Sequence, residues 1–141
     1  MSLQRTFVTF DAEMPDDSEF SESGDILVPG GRGVCFLVMQ FLQELGLDVS
    51  EPEQHQFYGW ELNGELHGSK FWFLLQYPAP WLLIAEDKTG LFARFRTERI
   101  SLEKLLSGLN KKLTTDHRIG DVQWFTKREY EDGMPLGSKF L

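Results

Sequence analysis

A chain of 141 residues is sized for one domain, and at that length folding hides about two thirds of the surface the unfolded chain exposes. A formal net charge of −8 argues against nonspecific attraction to nucleic acid or to an anionic membrane surface. The single cysteine, Cys35, excludes an internal disulfide. With no charged-then-apolar leader and no apolar run of about twenty residues, it points to a soluble cytoplasmic protein. The charge is uneven: residues 1–90 carry 15 acidic and 4 basic side chains, residues 91–141 carry 7 and 10. Such asymmetry bears on partner choice and association rate more than on fold.

Arg5 to Asp11 reads as a first strand of β-branched and aromatic residues, with Thr6, Val8 and Phe10 on one face and Phe7 on the other. The segment 11–30 is of another kind. Asp11, Glu13, Asp16, Asp17, Glu19, Glu22 and Asp25 follow one another with no Lys or Arg between them. Met14, Phe20 and the Ile26-Leu27-Val28 triplet are its apolar residues. It is either a solvated acidic loop pinned by Phe20 and Ile26, or a surface that docks a basic partner. Asp16-Asp17-Ser18-Glu19 lacks the alternating ligands of a calcium loop.

Pro29-Gly30-Gly31-Arg32-Gly33 then introduces a buried helix. Val34, Leu37, Val38, Phe41, Leu42 and Leu45 fall on one stripe, Cys35 and Met39 widen it, and Gly46 ends it. Phe36 falls on the polar strip with Gln40, Gln43 and Glu44, so it is either covered by the preceding loop or exposed as a contact. The glycine turn could hold an anion at the helix start. It could equally be a tight turn that lets the backbone pass close to a sheet. Neither a P-loop nor a dinucleotide fingerprint follows it.

After a polar crossing at Asp48–Glu53, residues Gln54–Leu66 read as one long strand, with Tyr58, Trp60 and Leu62 on one face. A turn is expected at His67-Gly68-Ser69-Lys70, with Gly64 marking a bulge. Lys70–Tyr77 is apolar on both faces at Phe71-Trp72-Phe73-Leu74-Leu75, which places it centrally in a sheet. Pro78 and Pro80 break the run and Trp81–Glu86 resumes it; Leu91–Arg96 reads as a short further strand, with a short helical turn through Phe92 and Phe95 as the alternative. Ser101 is an N-cap for a second helix, with Ile100 placed to pack on Leu105 and a stripe of Leu102, Leu105, Leu106, Leu109 and Leu113. Asp121–Thr126 is the last strand. The elements predict an α+β domain over residues 1–128: a mostly antiparallel sheet of five to six strands with two helices packed on one face. Residues 129–141 read as a loosely ordered tail.

The chemistry is sparse. Cys35 could act as a nucleophile only with His55, His67 or His117 in reach, and its place on the apolar arc favours an inert core thiol. No zinc or hydrolase motif occurs, and Glu86-Asp87 at a strand end is the only notable adjacent carboxylate pair among the strands. No cofactor, metal or catalytic residue is assigned. Protein binding is the better expectation, with Asp16, Asp17, Glu19, Glu22, Trp60 and Trp81 as partner-facing residues and a basic protein as partner. A homodimeric accessory or chaperone-like subunit and an enzyme with an unrecognised site are the alternatives.

The stretches Pro29–Gly33, Phe57-Tyr-Gly-Trp60, Phe71-Trp-Phe-Leu-Leu-Gln76 and Pro80–Asp87 resemble those of small uncharacterised bacterial α+β proteins, over roughly residues 5–127. In size and acidity the chain is also similar to immunity proteins of bacterial toxin systems. That resemblance implies a cytoplasmic inhibitor holding a basic toxin by an acidic, aromatic surface. It carries over no functional residue.

Overall fold

The computed structural model describes residues 4–28, 30–55, 59–76, 80–90, 100–133 and 137. Two helices form where leucine-type stripes recur at helical spacing. Helix α1 spans Arg32–Glu44 and buries Val34, Cys35, Leu37, Val38, Phe41 and Leu42. Gly31 at its start and Gly46 after its end both hold left-handed backbone, φ 101° and 100°, as glycine permits. Helix α2 spans Leu102–Thr115. The Ser101 hydroxyl accepts from the Lys104 N–H, and all five stripe leucines are buried.

The strands are β1 (Phe7–Ala12), β2 (Glu19–Phe20), β3 (Ile26–Val28), β4 (Asp48–Val49), β5 (Glu53–His55), β6 (Gly59–Leu66), β7 (Ser69–Gln76), β8 (Trp81–Asp87) and β9 (Ile119–Phe125). The main sheet runs β4-β6-β7-β8-β1-β9, and β5 pairs with β6 beside β4. Every pairing is antiparallel. β2 and β3 form a separate two-stranded sheet. The expected α+β architecture is therefore present, with β7 inside the sheet as its two-sided apolar run requires.

Alternation along the strands sorts the core. Val8, Phe10, Trp60, Leu62, Phe71, Phe73, Leu75, Trp81, Leu83, Ala85 and Trp124 join the buried residues of α1 and α2 in one cluster. α1 lies over β4 and β6, α2 lies over β9, and the helices touch. Gly108 makes that crossing close: a Cβ there would stand 2.8 Å from Leu45 Cδ2. The Trp124 indole N–H donates to Asn110 Oδ1 at 2.9 Å, tying β9 to α2. On the opposite face Phe7, Leu82 and Phe125 form a second, smaller cluster.

A third helix, α3 (Lys127–Glu131), had no counterpart among the expected elements. Its apolar pattern is too short to see, but Thr126 and Glu129 form a reciprocal capping box. Its Tyr130 ring lies 5.4 Å from Phe7 and 5.8 Å from Phe125, so the helix covers one corner of the second cluster.

Three local expectations need correction or lie out of view. Gln54–Leu66 is not one strand: β5 and β6 run antiparallel, with His55 opposite Gly59. At the start of β6, Gly59 lies so close to β7 that a Cβ there would collide with the Leu75 carbonyl oxygen. β5 then continues the edge begun by β4, across the gap that Pro52 imposes. Gly64 marks no bulge. The β6–β7 register is continuous through it, and the space above it is filled by Leu47, 2.6 Å from where a Cβ would stand. The turn itself is at His67-Gly68, both with positive φ (50° and 81°), the geometry of a two-residue hairpin. The strand expected at Leu91–Arg96 lies outside the described residues.

Leu109 is fully buried at the centre of the α2 stripe. Leu109→Ala is expected to lower unfolding free energy by about 2–5 kcal/mol through lost burial and a residual cavity. Ser101→Ala, which removes only the cap, is expected to cost about 1 kcal/mol. Urea titration of both variants checks the order.

Candidate functional site

The acidic segment leaves β1 and is held down at its start. The Glu13 N–H donates to the Arg118 carbonyl at 2.7 Å, and Met14 packs half-buried against the core. Asp16 Oδ1 accepts from the Ser18 N–H at 2.9 Å and the Ser18 hydroxyl at 2.7 Å, which closes a local turn. Asp17 reaches further. Its Oδ1 accepts from the Gly31 N–H at 2.7 Å and its Oδ2 from the Gly33 N–H at 2.8 Å. No side chain from the helix's own N-cap serves these donors, because that residue is Gly31. A carboxylate is well placed there, where unpaired N–H groups and the helix dipole favour negative charge. The glycine turn thus holds an anion, and the anion belongs to the chain.

The other side of the same turn meets the sheet. A Cβ on Gly31 would stand 3.0 Å from Trp81 Cη2 and nearer still to Cζ3. Both readings of the glycine turn therefore have a part in it: close backbone approach on one side, carboxylate capture on the other.

Beyond Asp17 the chain forms the β2–β3 hairpin. The Ser21 N–H donates to the Asp25 carbonyl at 2.8 Å, the Gly24 N–H donates to the Ser21 carbonyl at 3.0 Å, and Gly24 has φ 90°. Phe20 is 55 % exposed and Leu27 is 57 % exposed. Phe20 is thus not the pin that anchors this loop to the core; Met14 and Val28 pack there instead. The side chain of Ile26, the other expected pin, lies outside the described residues. Glu19, Glu22 and Asp25 are exposed around the two apolar residues. One face of α1 adds Phe36, 37 % exposed, with the Arg32 guanidinium carbon 5.7 Å from its ring centre.

The six residues expected to face a partner separate into three groups. Glu19 and Glu22 are on the exposed hairpin, and Asp16 is in the exposed turn before it. Asp17, although exposed to solvent, is committed to α1. Trp60 and Trp81 are buried, 6 % and 9 % exposed. They share the helix-facing side of their strands with Leu62 and Leu83, so alternation puts both beneath α1's side of the sheet. Arg32 stands over Trp60 as well, 5.7 Å from the ring centre. Trp60 and Trp81 are core, and the large apolar side chains the hairpin leaves exposed are Phe20 and Leu27. Leu27 carried no distinguishing signal within its apolar triplet.

The enzymatic readings have less to work with. Cys35 is 1 % exposed, and burial pushes its thiol from 9.0 up to about 12. His67 and His117 are exposed in turns, and His55 is half-buried at the end of β5, its ring 6.3 Å from that of Trp72. Glu86 and Asp87 point to opposite sides of β8. Glu86 pairs with Lys88 at 2.7 Å, and Asp87 Oδ1 accepts from the Thr89 N–H at 2.9 Å. Among the described residues no three His, Cys, Asp or Glu side chains gather at metal-binding distance, and no helix is long and apolar enough to cross a membrane. A shallow cleft of about 420 Å³ beside β4 and β6 is lined by both signs of charge: Asp48 and Glu65, Lys70 and Lys88.

Compared with known proteins, the chain matches no protein-family model, no curated protein and no solved structure.

The thiol gives a direct check. Cys35 in the folded protein is expected to resist an aromatic disulfide reagent at pH 8 and to react at once in denaturant. Its folded pKa lies above its unfolded one, so its contribution is intact below pH 9 and is lost as pH rises from 9 toward 12. Rapid native-state labelling would reopen the nucleophile reading.

Proposed function

We propose that the chain is a non-catalytic protein-binding domain whose acidic hairpin engages a basic partner. The observation that carries this reading is the pair Phe20 and Leu27, both more than half exposed, on a hairpin where every charged side chain is acidic. Large apolar side chains exposed within a charged rim are the pattern of protein interfaces. Around them, residues 11–25 carry seven carboxylates and no counter-charge of their own. That concentration raises the encounter rate with a positively charged surface and disfavours acidic competitors. An immunity-type inhibitor of a basic toxin is one form this reading takes.

Asp16, Glu19, Glu22, Phe20 and Leu27 make up the proposed contact surface; Trp60 and Trp81, buried in the core, are not part of it. Capture from a lysate of the source organism tests it with three baits: wild type, Phe20→Ser with Leu27→Ser, and Glu19→Ala with Glu22→Ala. A basic protein retained by wild type should be lost with the first variant. With the second it should associate about tenfold or more slowly at low salt, the difference shrinking as salt rises. A retained set that is the same for all three baits would reject this surface.

A further inference from the structure

We infer that Asp17 is a positioning residue: its carboxylate latches the strap of residues 13–28 onto the first turn of α1 and so presents the hairpin in one orientation. Three observations carry this. Among the described residues the hairpin forms its own two-stranded sheet and has no strand pairing with the main sheet. Its attachment at the N-terminal side is the Glu13–Arg118 backbone bond and half-buried Met14; at the C-terminal side the chain runs from Val28 directly into the glycine turn. Between these, Asp17 spans 14 and 16 residues of sequence to bond Gly31 and Gly33, drawing strap and helix into one unit.

The turn has features suited to a receiver. Gly33 carries no Cβ, and one built there would touch Asp17 Oδ2 at 3.4 Å and Met14 Cε at 3.5 Å, so the strap lies directly on it. Trp81 supports Gly31 from behind. Both bonds to Asp17 are short and charge-assisted, the stronger class of hydrogen bond. With the latch closed, Phe20 and Leu27 are held in place before a partner arrives, which reduces the ordering cost of association. With it open, the hairpin swings on its two ends. This consequence for binding rests on the function proposed above; the latch itself requires no partner.

Backbone amide exchange on the full chain without any partner provides the test, comparing wild type with Asp17→Asn and Asp17→Ala. In Asp17→Ala the amides of residues 13–28, with those of Gly31 and Gly33, should exchange about tenfold faster, the loss expected for a cap of this kind. Asp17→Asn keeps one carbonyl acceptor and should fall between. Exchange in α2, β7 and β8 should match wild type. Formate added to Asp17→Ala should slow Gly31 and Gly33 again but leave residues 13–28 fast, since a free anion caps a helix without tethering a strap. Unchanged exchange of residues 13–28 in Asp17→Ala would overturn the latch. So would equal acceleration throughout α2 and the sheet, or recovery of the strap by formate.

Discussion

The absence of a side chain at Gly31 is the constraint on which the arrangement rests. Its backbone is pressed against the Trp81 ring on one side and donates to Asp17 on the other. A Cβ would push the helix start off the sheet, and the left-handed φ of 101° would be strained for any other residue. From this point α1 is laid over β4 and β6, its six buried residues close the cluster, and the acidic strap is drawn onto the helix from outside. Core geometry and surface presentation therefore meet at one peptide group.

Charge and apolar surface are divided along the same line. The helix-facing side of the sheet takes Trp60, Trp81, Trp124, Phe10, Phe71 and Phe73, and the Trp124 indole N–H has a side-chain partner. Seven of the 22 acidic residues fall within residues 11–25, where they are exposed. Basic residues of the second half reach the first through contacts such as Lys112 Nζ to Glu44 Oε2, 2.8 Å, between the ends of α2 and α1. Surface pairs of this kind add little stability in salt, but they register the two helices. Asp116 and Arg118 form a two-point pair ahead of β9, and hydrogen bonds from Arg118 hold the Asp116 carboxyl down at about 2. Their turn also supplies the carbonyl that receives Glu13, so the strap's first attachment depends on it.

Cys35 illustrates how the same feature reads differently with and without its surroundings. By position it stands in the first turns of a helix, where a thiolate is favoured. By packing it belongs to the apolar cluster, and desolvation outweighs any dipole effect, moving its thiol up rather than down. The seal over it is the same sheet face that hides Trp60 and Trp81. The thiol, Trp60, Trp81 and Trp124 all belong to that core, while Phe20 and Leu27 of the hairpin lie outside it.

The sequence by itself determined the elements whose evidence is local and periodic. Both leucine-type stripes became helices, Ser101 capped the second, the His67-Gly68 turn joined two strands, and the doubly apolar run at Phe71–Leu75 became an interior strand. Phe36, which its place off the stripe left either covered by the loop or exposed, is 37 % exposed. What only the tertiary structure decided were pairings between distant residues. The antiparallel pairing of β5 with β6 sets His55 opposite Gly59, and the burial of Trp60 and Trp81 depends on which side of the sheet α1 covers. α3 depends on the aromatic cluster it packs against, since five residues lack a readable period. Asp17 is the clearest case: in a run of like charges nothing distinguishes it from Asp16. The two donors it serves lie 14 and 16 residues away and turn toward it only when the helix has formed against the sheet.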